Sequence, residues 1–317
     1  GGQAAADWYG VTAEGNFEGT NILTRPTRGD LARQPEVEAA RAALFERREG
    51  RVRPGLDDKV LTEWNALFLS TLAEAAAACD RPDWLAAAVA NGEFLLAQLR
   101  RPDGRWLRSW QTDAGAKHLA YAADHGSLVD AFTRLAEATG DARWIGAARE
   151  AAHALLDLFW DDEGGALFTT GHDAEVLVAR QKDLLDNATP SANSTAALAL
   201  LRLAALTGEG RFQAAAEAIL GVLAPIAGPH PTAFANLLAA LDLHLAGATE
   251  VAVVGDRPDL VEVVRRAWRP NAVLAWGQPY DSPLWADRQD GHAYVCRHFT
   301  CQQPVTTPGD LARQLLA

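Results

Sequence analysis

The chain has 317 residues, enough for about two domains with a large buried core, which excludes a peptide scaffold or a single small module. Forty-one Asp and Glu against 29 Lys and Arg give a net charge of -12, which repels phosphate backbones and anionic lipid faces and makes nucleic acid a poor partner. No stretch approaches the ~20 apolar residues of a spanning helix, and the first residues lack the basic and apolar regions of a signal peptide. The expected protein is therefore soluble and cytoplasmic. Three cysteines, Cys79, Cys296 and Cys301, cannot frame a chain of this size, in keeping with a reducing compartment. Methionine is absent, so the chain reads as part of a longer protein or an edited sequence.

Taken in chain order, the segment at 53–65 is dense in polar groups and leads into an apolar helix from Ala66. Next comes a repeated punctuation: Asp80-Arg81-Pro82-Asp83-Trp84, Gly140-Asp141-Ala142-Arg143-Trp144 and Gly208-Glu209-Gly210-Arg211-Phe212 each separate two amphipathic helices. In the second unit Leu128, Phe132, Leu135 and Ala136 lie on one face before the turn, and Ile145, Ala148, Ala152, Leu155, Leu156 and Phe159 follow after it. Gly140 and Gly208 suit the left-handed residue that ends a helix, and the aromatic after each turn can pin the hairpin together. In the third unit the helix at 194–206 is apolar nearly all round, whereas 212–223 alternates faces. Such an alternation of covered and half-exposed helices predicts an inner ring wrapped by an outer ring, an α/α toroid rather than an open solenoid. The long loops at 101–123 and 161–190, the latter with a β-type run at 165–170, are then expected at one mouth.

From about Thr249 the pattern changes to strand runs at 251–254, 272–276 and 293–299 with a helix at 258–268. The predicted fold is thus mainly α: a toroid over 1–248 and a small C-terminal α/β appendage over 249–317. Gly255-Asp256 stands where a phosphate-binding turn could sit, but no dinucleotide or P-loop motif accompanies it. Cys296, His298 and Cys301 resemble zinc ligands without a fourth. On a single strand the two cysteines would face opposite sides, which argues against both a shared metal and a disulfide. The residues call for no metal and no cofactor.

Two Asp- and Lys-rich segments, 53–65 and 180–194, each run into an inner helix, which would set Asp58 and Asp186 at a common mouth. There Lys59 or Lys182 could hold one carboxylate ionised while its neighbour stays protonable. The competing reading of Asp57, Asp58, Ser191 and Asn193 is helix capping and turn closure. Asp124 follows the loop containing Trp106 and Trp110, and tryptophans beside carboxylates suit sugars, the ring covering a pyranose C–H face while acids hold its hydroxyls. His118 and His125 are the imidazoles nearest the expected mouth and could serve proton abstraction beside a sugar carbonyl.

The runs GVTAEGNFEGTN at 10–21, RPGLDDKVLTEWN at 53–65, KDLLDNATPSANS at 182–194 and AYVCRHFTC at 293–301, with Pro304, Val305 and Thr306 beyond, resemble the spermatogenesis-associated protein 20 family. That resemblance implies a six-hairpin toroid similar to N-acylglucosamine 2-epimerases, preceded in the family by a thioredoxin-like domain that serves as a partner. No thioredoxin-type cysteine motif occurs in this chain. Ala66 and Ala192 stand where the family has glycine, and His125 where it has tyrosine. The resulting expectation is a pocket for a small, sugar-like ligand with epimerase- or glycosidase-like chemistry. Its catalytic candidates are Asp58, Asp186, Asp124 and His125, and its binding candidates are Glu18, Asp57, Lys59, Trp64, Asn65, Trp106, Lys182, Ser191 and Asn193. The alternative is a non-catalytic scaffold or client-binding module working with the thioredoxin-like domain.

Overall fold

The computed structural model describes residues 2–29, 32–176 and 178–316. The chain divides into two compact units, Gly1–Asp57 and Asp58–Ala317, so the helical array from residue 58 onward and the appendage lie in one unit. The first unit holds helices α1 (Gly2–Tyr9) and α2 (Pro35–Glu49). Its loop is tied by asparagines that stand in for strand pairing. Asn16 donates to the carbonyls of Gly10 and Ile22 and accepts the Ile22 amide, while Asn21 makes a reciprocal pair with the Thr12 backbone. The motif at 10–21 is thus a self-closing loop, built by side chains whose carboxamides mimic peptide groups.

The second unit opens with β1 (Val60–Leu61), then α3 (Thr62–Ala78), α4 (Pro82–Phe94), β2 (Leu107–Gln111), β3 (Gly115–Leu119), α5 (Ala122–Thr139), α6 (Ala142–Phe159), α7 (Ala192–Thr207), α8 (Gly210–Ala227) and α9 (Ala235–Ala246). Helices α3, α5, α7 and α9 pack side by side in that order. Each of α4, α6 and α8 folds back on the inner helix before it. This inner-and-outer hairpin layering is that of an α/α toroid. The predicted contrast between layers is present: α7 is buried over nearly its whole length, whereas α8 buries only one face. Gly140 and Gly208 end α5 and α7 with φ of 69° and 76°, and Asp141 accepts the Arg143 amide to start α6. Trp144 and Phe212 are fully buried after those turns, Trp144 stacking on Phe132 with centroids 5.6 Å apart. Burial of a ring of this size stabilises by a few kcal/mol, so the aromatic locks its hairpin.

The loop at 101–123 contains a hairpin, β2 with β3, to which β1 adds a third antiparallel strand. The run at 165–170 is not a strand. It makes one isolated bridge, Leu167 with Trp160, because its backbone is shared among Phe159, Gln181 and the Asn193 side chain.

The appendage comprises β4 (Thr249–Val253), α10 (Pro258–Arg265), β5 (Ala272–Ala275), β6 (Ala293–Arg297), β7 (Thr300–Cys301) and α11 (Pro308–Gln314). Its sheet runs β5-β4-β6-β7, with β4 parallel to β5 and the remaining pairs antiparallel. The predicted strand at 293–299 stops at Arg297, where His298 and Phe299 take positive φ and turn the chain back. Cys296 and Cys301 are therefore cross-strand partners joined in a disulfide, which corrects their expected placement on opposite faces of one strand. The appendage is fastened to the inner helices by Glu137 of α5, which binds Arg202 of α7 and accepts the Leu274 amide of β5. The Trp276 indole donates to the Glu137 carbonyl at 2.7 Å.

A close backbone crossing completes that junction. Gly277, at φ 73°, lies where a Cβ would fall 2.4 Å from the Gly140 carbonyl. Gly277→Ala is expected to destabilise the chain by roughly 2–4 kcal/mol in denaturant unfolding, since neither backbone can yield cheaply.

Candidate functional site

Carboxylates gather the N-termini of the inner helices at one end of the array. Asp124, the third residue of α5, accepts the Tyr121 amide at 2.7 Å, closing its own first turn. Its other oxygen accepts the Glu63 amide of α3 at 3.0 Å, while Arg108 of β2 donates at 2.9 Å to the oxygen that holds the Tyr121 amide. Asp183 accepts the Ala192 amide at the head of α7, where Ser191 also caps the Ser194 amide. Asp186 accepts the Ser191 amide and, through its second oxygen, the Asn236 amide at the head of α9, both at 2.8 Å. Each is placed where the partial positive charge of a helix start favours an anion.

Glu63 sits within this belt without capping anything. It is 7% exposed, with Arg108 Nη2 at 3.6 Å as its nearest cation. Burial pushes its carboxyl above the ordinary 4.5, the charges of Asp124 and Asp183 push the same way, and Arg108 opposes them. Burial also raises Asp124, against Arg108 and the two amides. The difference between them is in bonding. Asp124 is committed to three donors, while Glu63 faces one guanidinium at a longer distance. A buried carboxyl whose pKa is raised and that is not consumed by caps can move a proton.

The sequence candidates distribute as follows. Asp124, Asp186, Ser191 and Asn193 come together along the inner-helix heads. Asn193 is wholly buried and holds Leu167 through both its backbone groups and Asp183 through its carbonyl. Asp58 is exposed and accepts from Gln111 at 2.8 Å, on the β2 side of the same unit. Lys59 is exposed; Lys182 is ion-paired to Asp161 at 2.6 Å, which holds that carboxyl below its ordinary range. Trp64 is 59% exposed, and Asn65 donates to the Leu61 carbonyl. Trp106 is buried against Phe132. Glu18 and Asp57 are exposed residues of the first unit. His118 is exposed on β3.

His125 lies inside the packing. Its ring packs on Phe159 with centroids 5.0 Å apart, Nδ1 meets the Tyr121 carbonyl and Nε2 faces Arg105, itself paired to Asp173. The charged groups of this cluster that the sequence did not single out are Glu63, Arg108 and Asp183. Glu63 and Asp183 stood inside quoted runs, and their one local signal was position at a helix head.

With the geometry established, the class of protein is a mainly α, toroid-type chain whose inner-helix heads carry a charged cluster. No protein-family model matches the chain. It is similar to spermatogenesis-associated protein 20 of Homo sapiens, 28% identical over 99% of this chain and 46% of the relative, and to that of Rattus norvegicus at 27% over the same shares. The chain therefore spans less than half the length of these curated relatives, and the resemblance carried by the four motif runs extends along nearly all of it. Solved structures similar in part include cellobiose 2-epimerase from Spirochaeta thermophila (18% identity, 53% of this chain and 44% of that one, TM-score 0.43). Another is unsaturated glucuronyl hydrolase from Bacillus sp. GL1 (18%, 54% and 49%, TM-score 0.43).

Burial lowers the His125 pKa from 6.5 to about 4, with Arg105 adding to the effect and the Tyr121 carbonyl opposing it. Its neutral form is thus the folded form. The associated stability is complete above the unfolded value of 6.5 and is lost as pH falls toward 4, by up to about 3 kcal/mol. Unfolding measured from pH 7.5 to 4 is expected to show a flatter pH dependence in His125→Phe than in the parent chain.

Proposed function

We propose that the inner-helix heads form a carbohydrate-active acid–base site in which Glu63 carries the proton and Arg108 and Asp124 set its charge. The observation that carries the reading is the Glu63 carboxyl: buried, raised in pKa by that burial, and beside a second carboxylate and a guanidinium. The sugar-like ligand is supported by two exposed aromatic residues on the elements that carry the acids. Trp64 follows Glu63 and is 59% exposed; Tyr121, at 37%, carries the Arg108 guanidinium 4.7 Å from its ring centroid. A pyranose can lay its C–H face on such rings while its hydroxyls donate to carboxylates. Asp186, with both oxygens on backbone amides, holds the site together rather than exchanging protons.

In a hydrolytic version the Glu63 O–H gives its proton to the glycosidic oxygen as the C–O bond breaks, and the attacking water returns a proton to the carboxylate. In an isomerising version the carboxylate form takes a proton from the carbon beside the sugar carbonyl and gives it back. Both require a carboxyl poised between its two states, which the Glu63 surroundings favour.

A second reading is a non-catalytic module that docks the thioredoxin-like domain implied by the motif resemblance. It is favoured by Trp64 and Phe68, one turn apart on α3 and 59% and 62% exposed.

Glu63→Gln separates the two. A raised carboxyl pKa makes the folded chain lose stability as pH climbs from 4.5 through the raised value, so removing the charge leaves the variant at least as stable at pH 7. Turnover of mono- and disaccharides, followed by the NMR signals of their anomeric protons, is expected to fall by about a hundredfold or more in that variant. Unchanged turnover would overturn the acid–base role, and absence of turnover and of sugar binding in the parent chain would favour the docking module.

A further inference from the structure

The opposite end of the inner helices borders a cavity lined by charged groups. It measures about 150 Å³ and lies between the C-terminal halves of α3, α5 and α7 on one side and α10, its following loop and β5 on the other. Four guanidiniums line it, those of Arg134, Arg202, Arg265 and Arg269, against two carboxylates, Glu74 and Glu137.

The carboxylates are already engaged. Glu137 holds Arg202 at 2.9 Å, and Glu74 faces Arg134 at 3.5 Å, with Asp130 also at 3.4 Å from Arg134. Among the described residues the Arg269 guanidinium donates only to the Val263 carbonyl, at 3.3 Å, and the Arg265 side chain has no ion pair or hydrogen bond. Burial without a partner pulls the Arg265 pKa below its ordinary value. Behind them Arg202, 2% exposed, has its Nη atoms on Glu137 and on the Pro270 and Ala272 carbonyls, but its buried Nε has no partner. Counting Asp130, three carboxylates face the four guanidiniums, so the positive charge left without a carboxylate is local to Arg265 and Arg269.

We propose that this cavity binds a small phosphate-type oxyanion, held by the forked donors of Arg265 and Arg269 with the buried Arg202 behind them. Guanidinium forks match tetrahedral oxyanions, and a paired anion removes the cost of a half-buried unpaired cation. The volume corresponds to about five waters, which admits inorganic phosphate or the phosphate group of a small ester.

Calorimetric titration of the full chain with inorganic phosphate, at constant ionic strength, tests the site, with acetate and chloride as separate arms. Phosphate is expected to bind more tightly than acetate, and chloride to give no saturable heat. The double variant Arg265→Ala with Arg269→Ala is expected to weaken phosphate binding at least tenfold, with Arg265→Lys between it and the parent. Phosphate heat matching that of chloride, acetate binding as tightly as phosphate, or a double variant with parental affinity would each overturn the proposal. The phosphate and acetate titrations of the parent decide it even if the double variant does not fold.

Discussion

Neighbouring inner helices are held in register by carboxylates that accept amide protons from two helices at once. Asp124 joins the heads of α5 and α3, and Asp186 joins those of α7 and α9. Hydrogen bonds to a charged acceptor contribute about 1.5–3 kcal/mol each, and helix starts supply donors that would otherwise be unsatisfied. These side chains therefore do two things: they end the exposed backbone of a helix, and they fix where the next helix begins. The α5 and α7 backbones also approach closely at Gly126, whose Cβ position lies 3.4 Å from the Ala196 amide nitrogen.

That arrangement gives the array an electrical polarity. At the heads, Asp124, Asp183 and Asp186 complement the positive ends of the helix dipoles, and Glu63 is the acid left over once the amides are served. Toward the tails, Arg134 and Arg202 are paired with carboxylates, and Arg265 and Arg269 are the cations left over. The surplus at each end is what can meet a ligand. An acid with a raised pKa suits proton transfer to a neutral, hydroxyl-rich molecule, while unpaired guanidiniums suit an anion. The two proposed chemistries thus draw on opposite ends of one layer of helices.

The hairpin layout was legible because it is encoded locally. Gly140 and Gly208 announced left-handed helix ends, Trp144 and Phe212 the aromatic pins, and the β-branched runs near Val251 and Val273 the appendage strands. The candidate site was legible only in part. Asp124, Asp186 and Asn193 could be seen at helix heads, but the burial of Glu63 depends on Asp124, 61 residues away, and on Arg108 from a hairpin with no motif. Pairing of that range leaves no periodic trace. The Cys296–Cys301 pair escaped for another reason: strand alternation is a sound rule only within one strand, and a two-residue turn at His298 and Phe299 resets it. His125 looked accessible from its place beside Asp124, yet Phe159, brought over by α6, covers its ring.

The shared-carboxylate account is tested most directly by native-state hydrogen exchange in Asp124→Ala and Asp186→Ala. Loss of a bridge should expose an amide on the neighbouring helix: Glu63 of α3 in the first variant and Asn236 of α9 in the second, each exchanging at least tenfold faster while the middle of both helices keeps its protection. Faster exchange confined to the substituted helix, with Glu63 and Asn236 unchanged, would contradict the account.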